Sequence, residues 1–136
     1  MKKIILLSAL ILSFVACNDT KEQESHQSNM LPSTPYTQVE KALNNKQATF
    51  LEFGSTECKS CIEMDKLLYK VKSKQPKSNV FFIDIYKDKE AAKQYKIRMM
   101  PTQVWLDKER KEIGRHIGKM DEAELNKLLK ETGIIE

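Results

Sequence analysis

The spacing of apolar residues along this chain changes between a helical period and short, nearly continuous runs. Helical spacing predicts four helices, near 36–43, 58–74, 91–95 and 121–132. Apolar runs predict four strands, at 50–53, 80–85, 102–106 and 113–117, the last two close enough to form a hairpin. The resulting order is α-β-α-β-α-β-β-α. It predicts an α/β fold in which one sheet packs between helices.

The first 16 residues follow a different pattern, that of an export signal. Lys2 and Lys3 precede a nearly unbroken apolar run at 4–16, which is short for a membrane span. We therefore interpret 1–16 as a secretory signal peptide. The segment Phe14-Val15-Ala16-Cys17 resembles the lipobox of bacterial lipoproteins, which implies that Cys17 becomes a lipidated N-terminus. The alternatives are an ordinary cleaved signal peptide with a stray cysteine, or an uncleaved apolar anchor.

The polar composition of 18–35 predicts a flexible tether, because such a segment buries too little apolar surface to fold alone. The domains are accordingly a signal peptide at 1–16, a lipidated cysteine and tether at 17–35, and one folded domain at 36–136. The whole chain carries a net charge of +4. Its lysines are interspersed with acids, which is typical of a solvated surface and not of a nucleic-acid-binding stripe. We expect a monomer.

Cys58 and Cys61 form a Cys-x-x-Cys motif where a strand passes into a helix, a place that favours thiol–disulfide chemistry. The helix N-terminus and Lys59 would stabilise the thiolate of Cys58, so Cys58 is the expected nucleophile and Cys61 the expected resolving thiol. A static disulfide is one alternative, although so short a loop restricts the unfolded chain little. A metal site is the other, but a second ligand pair at suitable spacing is missing, and we predict neither a metal nor a cofactor.

Four segments in this order and spacing resemble the thioredoxin superfamily. They are Phe50-Leu51-Glu52-Phe53, Cys58-Lys59-Ser60-Cys61, the proline segment Tyr95-Lys96-Ile97-Arg98-Met99-Met100-Pro101-Thr102, and Gly118 before the last helix. The resemblance implies a thioredoxin-like fold with a central mixed sheet of about four strands flanked by helices. The resemblance is narrower at Phe53-Gly54-Ser55 before the cysteines, and at 101–107 with Arg115-His116 downstream. These segments are similar to exported thioredoxin-like reductases that take electrons from membrane proteins of the CcdA or DsbD type.

Three further residues acquire expected roles through this resemblance. Glu52 matches the family's buried carboxylate and would accept the proton of Cys61 as a general base, provided that its strand lies inside the sheet; the alternative is a partly exposed side chain at a sheet edge. Pro101 matches the family's cis-proline, although most X-Pro bonds are trans. With a cis bond, the backbone of Met100 would pair with a substrate segment.

The sequence therefore predicts a membrane-anchored thiol–disulfide oxidoreductase that reduces disulfides of exported proteins. It would act in the periplasm or on the outer face of a membrane, with a CcdA- or DsbD-type electron donor. Glu57 and the pair Lys59-Ser60 replace the family's usual Trp and Gly-Pro, and this leaves the direction of electron flow open. A disulfide oxidase or isomerase, or a non-catalytic metal-binding or chaperone lipoprotein, remains the alternative.

Overall fold

A computed structural model describes residues 29–136. The signal peptide predicted at 1–16, the lipidation site Cys17 and the tether up to residue 28 lie outside the described residues. The elements are α1 (Tyr36–Ala42), β1 (Thr49–Gly54), α2 (Lys59–Lys74), β2 (Asn79–Asp84), α3 (Lys89–Gln94), β3 (Thr102–Leu106), β4 (Glu112–Ile117) and α4 (Glu122–Glu131). This order confirms the prediction. Within residues 29–136, no helix is both long and apolar enough to cross a membrane.

The four strands form one mixed sheet in the order β2-β1-β3-β4. β1 runs parallel to β2 and antiparallel to β3, and β3 and β4 form the predicted hairpin. Because of these directions, β1, β2 and β4 end at the same edge at which β3 begins. Gly54, Asp84, Thr102 and Ile117 mark this edge, which we call the upper edge. β1 is internal, and all of its residues are buried.

Alternation along the strands sends side chains to two apolar clusters, one on each face of the sheet. The α2/α4 face holds Phe50 and Phe82 against Met64, Leu68, Leu125 and Leu129. The α1/α3 face holds Leu51, Phe53 and Val104 against Val39, Leu43 and Ala91. The helices therefore cover both faces, as expected for an α/β fold with an internal parallel pair.

Three residues that the sequence analysis assigned to the tether, Leu31, Ser33 and Thr34, pack on the sheet. Leu31 belongs to the core cluster of the α2/α4 face, Ser33 forms a parallel bridge with Phe82, and the Thr34 backbone N–H donates to the Phe82 carbonyl at 2.8 Å. These residues cover the outer edge of β2, whose backbone groups would otherwise lack partners. The last part of the segment predicted as tether is thus attached to the sheet.

The helix ends follow the sequence signals. α2 ends at Lys74, two residues before Pro76. The Asp121 carboxylate caps α4 by accepting a hydrogen bond from the Glu124 backbone N–H at 2.8 Å. Gly133 follows α4 with a φ of +68°, a conformation that favours glycine.

Candidate active site

The loop between β1 and α2 places Cys58 at the N-terminus of α2. The Cys58 backbone N–H donates to the Ser55 carbonyl at 3.2 Å, and the Glu57 N–H donates to the Ser55 hydroxyl at 3.1 Å. Cys58 is the N-cap residue, and its Sγ accepts from the Cys61 N–H at 3.4 Å. The free N–H groups and the dipole of the helix favour a negative charge at this sulfur.

Cys61 lies one turn along α2 and is completely buried. Its Cα is 5.2 Å from that of Cys58, and the two thiols lie at disulfide distance. Gly54 allows this packing, because a Cβ there would lie 3.0 Å from the Cys61 Cβ and 3.1 Å from its Sγ. Cys58 is half-buried, so a partner reaches Cys58 more easily than Cys61.

Glu52 lies on the same face of β1 as Gly54 and is completely buried. The Gln103 Nε2 donates to its Oε2 at 2.8 Å. Burial raises the pKa of Glu52 well above its ordinary value; the Gln103 hydrogen bond opposes this shift, and the charge of Asp65 adds to it. The predicted internal position is confirmed, and the alternative of a partly exposed carboxyl at a sheet edge is wrong.

Asp65 is a second buried carboxyl, which the sequence analysis missed. It lies four residues after Cys61, on the inward side of α2, with no exposed surface. Neither of its oxygens has a hydrogen-bond partner within residues 29–136, and burial raises its pKa to about 7. The available signal was an acidic residue in the apolar stripe of Cys61, Met64 and Leu68. We call Glu52, Asp65 and Gln103 the buried polar cluster.

Gln103 was also missed, and no local signal identifies it. It stands opposite Glu52 in the β1–β3 register and is completely buried. A glutamine in a short strand is unremarkable until the pairing of the strands places it beside a carboxyl.

The Met100–Pro101 peptide bond is cis, as predicted, and the trans alternative is wrong. Pro101 directly precedes β3, whose first residue, Thr102, is paired with Phe53 near the end of β1. The Gly118 N–H donates to the Pro101 carbonyl at 2.8 Å. Met100 and Pro101 therefore lie at the upper edge, to which the Cys58 loop also belongs. Their role in binding substrate stays a prediction.

The sequence profile of the thioredoxin-like domain matches residues 35–133. The chain belongs to the thioredoxin-like family. A thioredoxin from the fluke Fasciola hepatica is similar in structure, with a TM-score of 0.65, 22% identity, and coverage of 76% of this chain and 99% of that one. A mutant thioredoxin from Halobacterium salinarum gives a TM-score of 0.66 at 20% identity, over 75% of this chain and 88% of that one.

Two further relatives extend the comparison. The germline-specific thioredoxin Deadhead from Drosophila melanogaster has a TM-score of 0.62 and 27% identity, covering 74% of this chain and 98% of that one. An uncharacterized protein of Schizosaccharomyces pombe is 28% identical over 99 residues, which are 72% of this chain. The match spans only 13% of that longer protein.

The thioredoxin-like fold and the cysteine pair together indicate a thiol–disulfide oxidoreductase. The Cys58 thiol is accessible at the N-terminus of α2, while the Cys61 thiol is buried beside β1, the strand that carries Glu52. Among residues 29–136, no three His, Cys, Asp or Glu side chains converge as a set of metal ligands. The site combines the two thiols with the buried polar cluster.

Proposed function

We propose that this protein is a membrane-anchored, thioredoxin-like reductase of disulfides in exported proteins. The observation that carries the proposal is the pairing of a half-buried, accessible Cys58 with a completely buried Cys61. The same face of the sheet carries Glu52, whose pKa burial raises well above its ordinary value. This arrangement suits a dithiol that attacks a partner disulfide and then releases the partner rapidly.

The proposed reaction begins from reduced protein, in which Cys58 is a thiolate and Cys61 a thiol. The Cys58 thiolate attacks a substrate disulfide, forms a mixed disulfide and displaces one substrate sulfur as a thiolate. Glu52 accepts the proton of Cys61, whose thiolate attacks the Cys58 sulfur and displaces the second substrate thiolate. Two electrons pass to the substrate, and the protein is left with the Cys58–Cys61 disulfide.

Exposed apolar side chains at the upper edge support a protein substrate. Tyr86, Met99 and Ile117 are 59%, 63% and 57% exposed. They follow β2, precede β3 and end β4 respectively, so they flank the Cys58 loop on two sides. An apolar rim of this kind suits an extended polypeptide segment, with Met100 and Pro101 as the adjacent backbone.

The anchor and the electron donor are proposed from the sequence. The basic and apolar segment before Cys17 supports export and lipidation, which would place the domain in the periplasm or on the outer face of a membrane. A reductase in that location requires electrons from across the membrane, so we propose a CcdA- or DsbD-type dithiol donor. Acyl chains on Cys17 would keep the domain close to such a partner.

The test of the activity is reduction of insulin disulfides by the reduced protein, together with the redox potential of the Cys58/Cys61 couple. We expect turnover and a potential well below about −200 mV. A potential near about −120 mV, typical of strong disulfide oxidants, would contradict the reductase and favour the oxidase. Stoichiometric metal binding without insulin reduction would instead favour the non-catalytic lipoprotein.

The anchor has a separate test. We expect the wild-type protein, expressed in a bacterial host, to incorporate radiolabelled palmitate and to remain with the membrane fraction. Cys17→Ser should lose both the label and the membrane association, while reductase activity in solution remains. Equal labelling of the two proteins would refute lipidation at Cys17.

A further inference from the structure

Two buried side-chain oxygens, one on Glu52 and one on Gln103, lack a hydrogen-bond partner in the described part of the chain, although these two side chains share one hydrogen bond. Glu52 and Gln103 share one hydrogen bond, from the Gln103 Nε2 to the Glu52 Oε2 at 2.8 Å. The Glu52 Oε1 and the Gln103 Oε1 have no partner within residues 29–136. Both side chains are completely buried. Two acceptors left unsatisfied at such depth are costly.

A single proton resolves both deficits. A neutral carboxylic acid and a primary amide can form two hydrogen bonds at once, because the acid O–H donates to the amide oxygen while the amide N–H donates to the acid carbonyl. The second of these bonds is already present between Gln103 and Glu52. A proton on the Glu52 Oε1 would supply the first, with the Gln103 Oε1 as its acceptor. An ionised Glu52 would instead leave two acceptors without a donor.

We infer that Gln103 is a positioning residue that holds Glu52 as a neutral acid through a two-bond acid–amide pair when the cysteines are oxidised. The register places the two residues directly opposite each other on β1 and β3, where side chains on the same face lie within reach. This inference rests on the proposed function and gives Glu52 a defined protonation state at each stage of it.

The protonation state follows from the balance of the reaction. During substrate reduction, Glu52 takes the proton that Cys61 loses, so the oxidised protein ends with a neutral Glu52 and the Cys58–Cys61 disulfide. When a donor dithiol attacks Cys58, the departing Cys61 thiolate takes this proton back and Glu52 becomes a carboxylate. The Gln103 N–H can donate to Glu52 in either state, and only the hydrogen bond from the Glu52 O–H to the Gln103 oxygen forms and breaks.

Other titratable groups face the pair from each side. Asp65 lies on α2, and its charge raises the pKa of Glu52. Cys61, on the same helix, packs against Gly54, two residues after Glu52. On β4, His116 stands opposite Gln103 in the register and is half-buried. A measurement that reads Glu52 itself is therefore needed, because the pH dependence of a rate would combine several of these groups.

Infrared spectroscopy of the oxidised full-length protein at pH 7 provides this measurement. We expect a carbonyl stretch of a neutral carboxylic acid that disappears in Glu52→Gln and persists in Asp65→Asn. In Gln103→Met, which keeps the length and loses both polar groups, we expect the band to shift to higher wavenumber. The control is the same change at an exposed glutamine on the other face of the sheet. Gln94 donates to Tyr36 there, and Gln94→Met should leave the band in place.

The outcomes separate this inference from the proposed function. An ionised Glu52 in the oxidised wild type, or a band that Gln103→Met does not shift, would overturn the acid–amide pair. Gln103→Asn, whose shorter amide cannot reach as far, should shift the band in the same direction and serves if Gln103→Met fails to fold. Insulin reduction tests the reductase independently, because the infrared band is read in a protein that does not turn over.

Discussion

The two faces of the sheet have similar apolar clusters but differ in how far their polar side chains are hydrogen-bonded. Between the sheet and α2, the buried polar cluster leaves four side-chain oxygens without partners in the described chain. On the α1/α3 face, the Tyr36 and Tyr95 hydroxyls lie 3.0 Å apart in a hydrogen bond, and Gln94 donates to Tyr36 at 3.1 Å. One face satisfies its polar groups, while the other keeps carboxyls that would be more stable in water.

This difference distinguishes the part of the protein that reacts from the part that supports it. Unsatisfied buried carboxyls contribute little to folding, so their presence on one face only supports the proposed proton transfer between Glu52 and Cys61. β1 and β3 pair in a register that brings Glu52 to Gln103. Substitutions on the two faces should therefore have separable effects on rate and on stability.

Substitution of the cysteines, on the α2/α4 face, should have the largest effect on the rate of the reaction. Cys58→Ser should reduce insulin turnover to background, because no nucleophile remains to form the mixed disulfide. Cys61→Ser should also stop turnover but accumulate mixed disulfides, which appear as a mass increase on non-reducing gels. Accumulation with Cys58→Ser in place of Cys61→Ser would reverse the assigned roles.

Glu52→Gln should have the next largest effect. Loss of the proton acceptor should slow the resolution of a preformed mixed disulfide by about 100-fold at neutral pH, while the initial attack by Cys58 changes little. The raised pKa of Glu52 implies that the wild-type rate rises as Glu52 deprotonates, so the deficit should widen with increasing pH. Stopped-flow measurement of each step gives the comparison. Equal resolution rates in the two proteins would refute the general base.

The fold could be predicted from the sequence because each helix and strand has a recognisable pattern of neighbouring residues. The apolar run at 80–85, the hairpin and the Asp121 cap are all properties of neighbouring residues, and the structure confirms each of them. The site could be predicted in part, since Cys58, Cys61 and Pro101 belong to motifs with fixed spacing. Glu52 was identified through its match to the family's buried carboxylate, on the condition that its strand lies inside the sheet.

The remaining site residues depend on contacts between distant segments. Gln103 lies beside Glu52 only when β3 pairs with β1. The local sequence Thr102-Gln103-Val104 does not predict this pairing. Asp65 could in principle have been predicted, because it is a charged residue within an apolar helical stripe. An acid at the border of a buried helix face would give the same pattern. The attachment of Leu31 to the core likewise depends on the exposed edge of β2, which is a property of the assembled sheet.

Asp65→Asn should affect stability more than the first step of catalysis. Burial raises the pKa of Asp65 from 3.8 to about 7 in the folded protein, so the folded state binds a proton that the unfolded state loses at lower pH. Stability is therefore lost as pH rises from about 4 to about 7. Between pH 5 and pH 8, the free energy of unfolding of the wild type should fall by about 2 kcal/mol relative to Asp65→Asn.

Urea denaturation of the oxidised proteins at both pH values measures this difference. At each pH, the free energy of unfolding of one protein is subtracted from that of the other. The contributions of titratable groups that both proteins share then cancel, including most of the contribution of Glu52. A difference that does not change between pH 5 and pH 8 would show that Asp65 has no raised pKa in the folded state.

Tyr36→Phe should have the smallest effect and tests the supporting face. It removes the hydroxyl bonded to Tyr95 and Gln94 but keeps the ring, which packs edge-on against Tyr95 at a centroid distance of 5.8 Å. The expected loss is about 1 kcal/mol in the free energy of unfolding. Insulin reduction and the rate of mixed-disulfide resolution should remain at wild-type values, because the hydroxyl lies across the sheet from Cys61. A slower resolution step in Tyr36→Phe would show that the two faces are coupled through β1, and the separation of reacting and supporting faces would then fail.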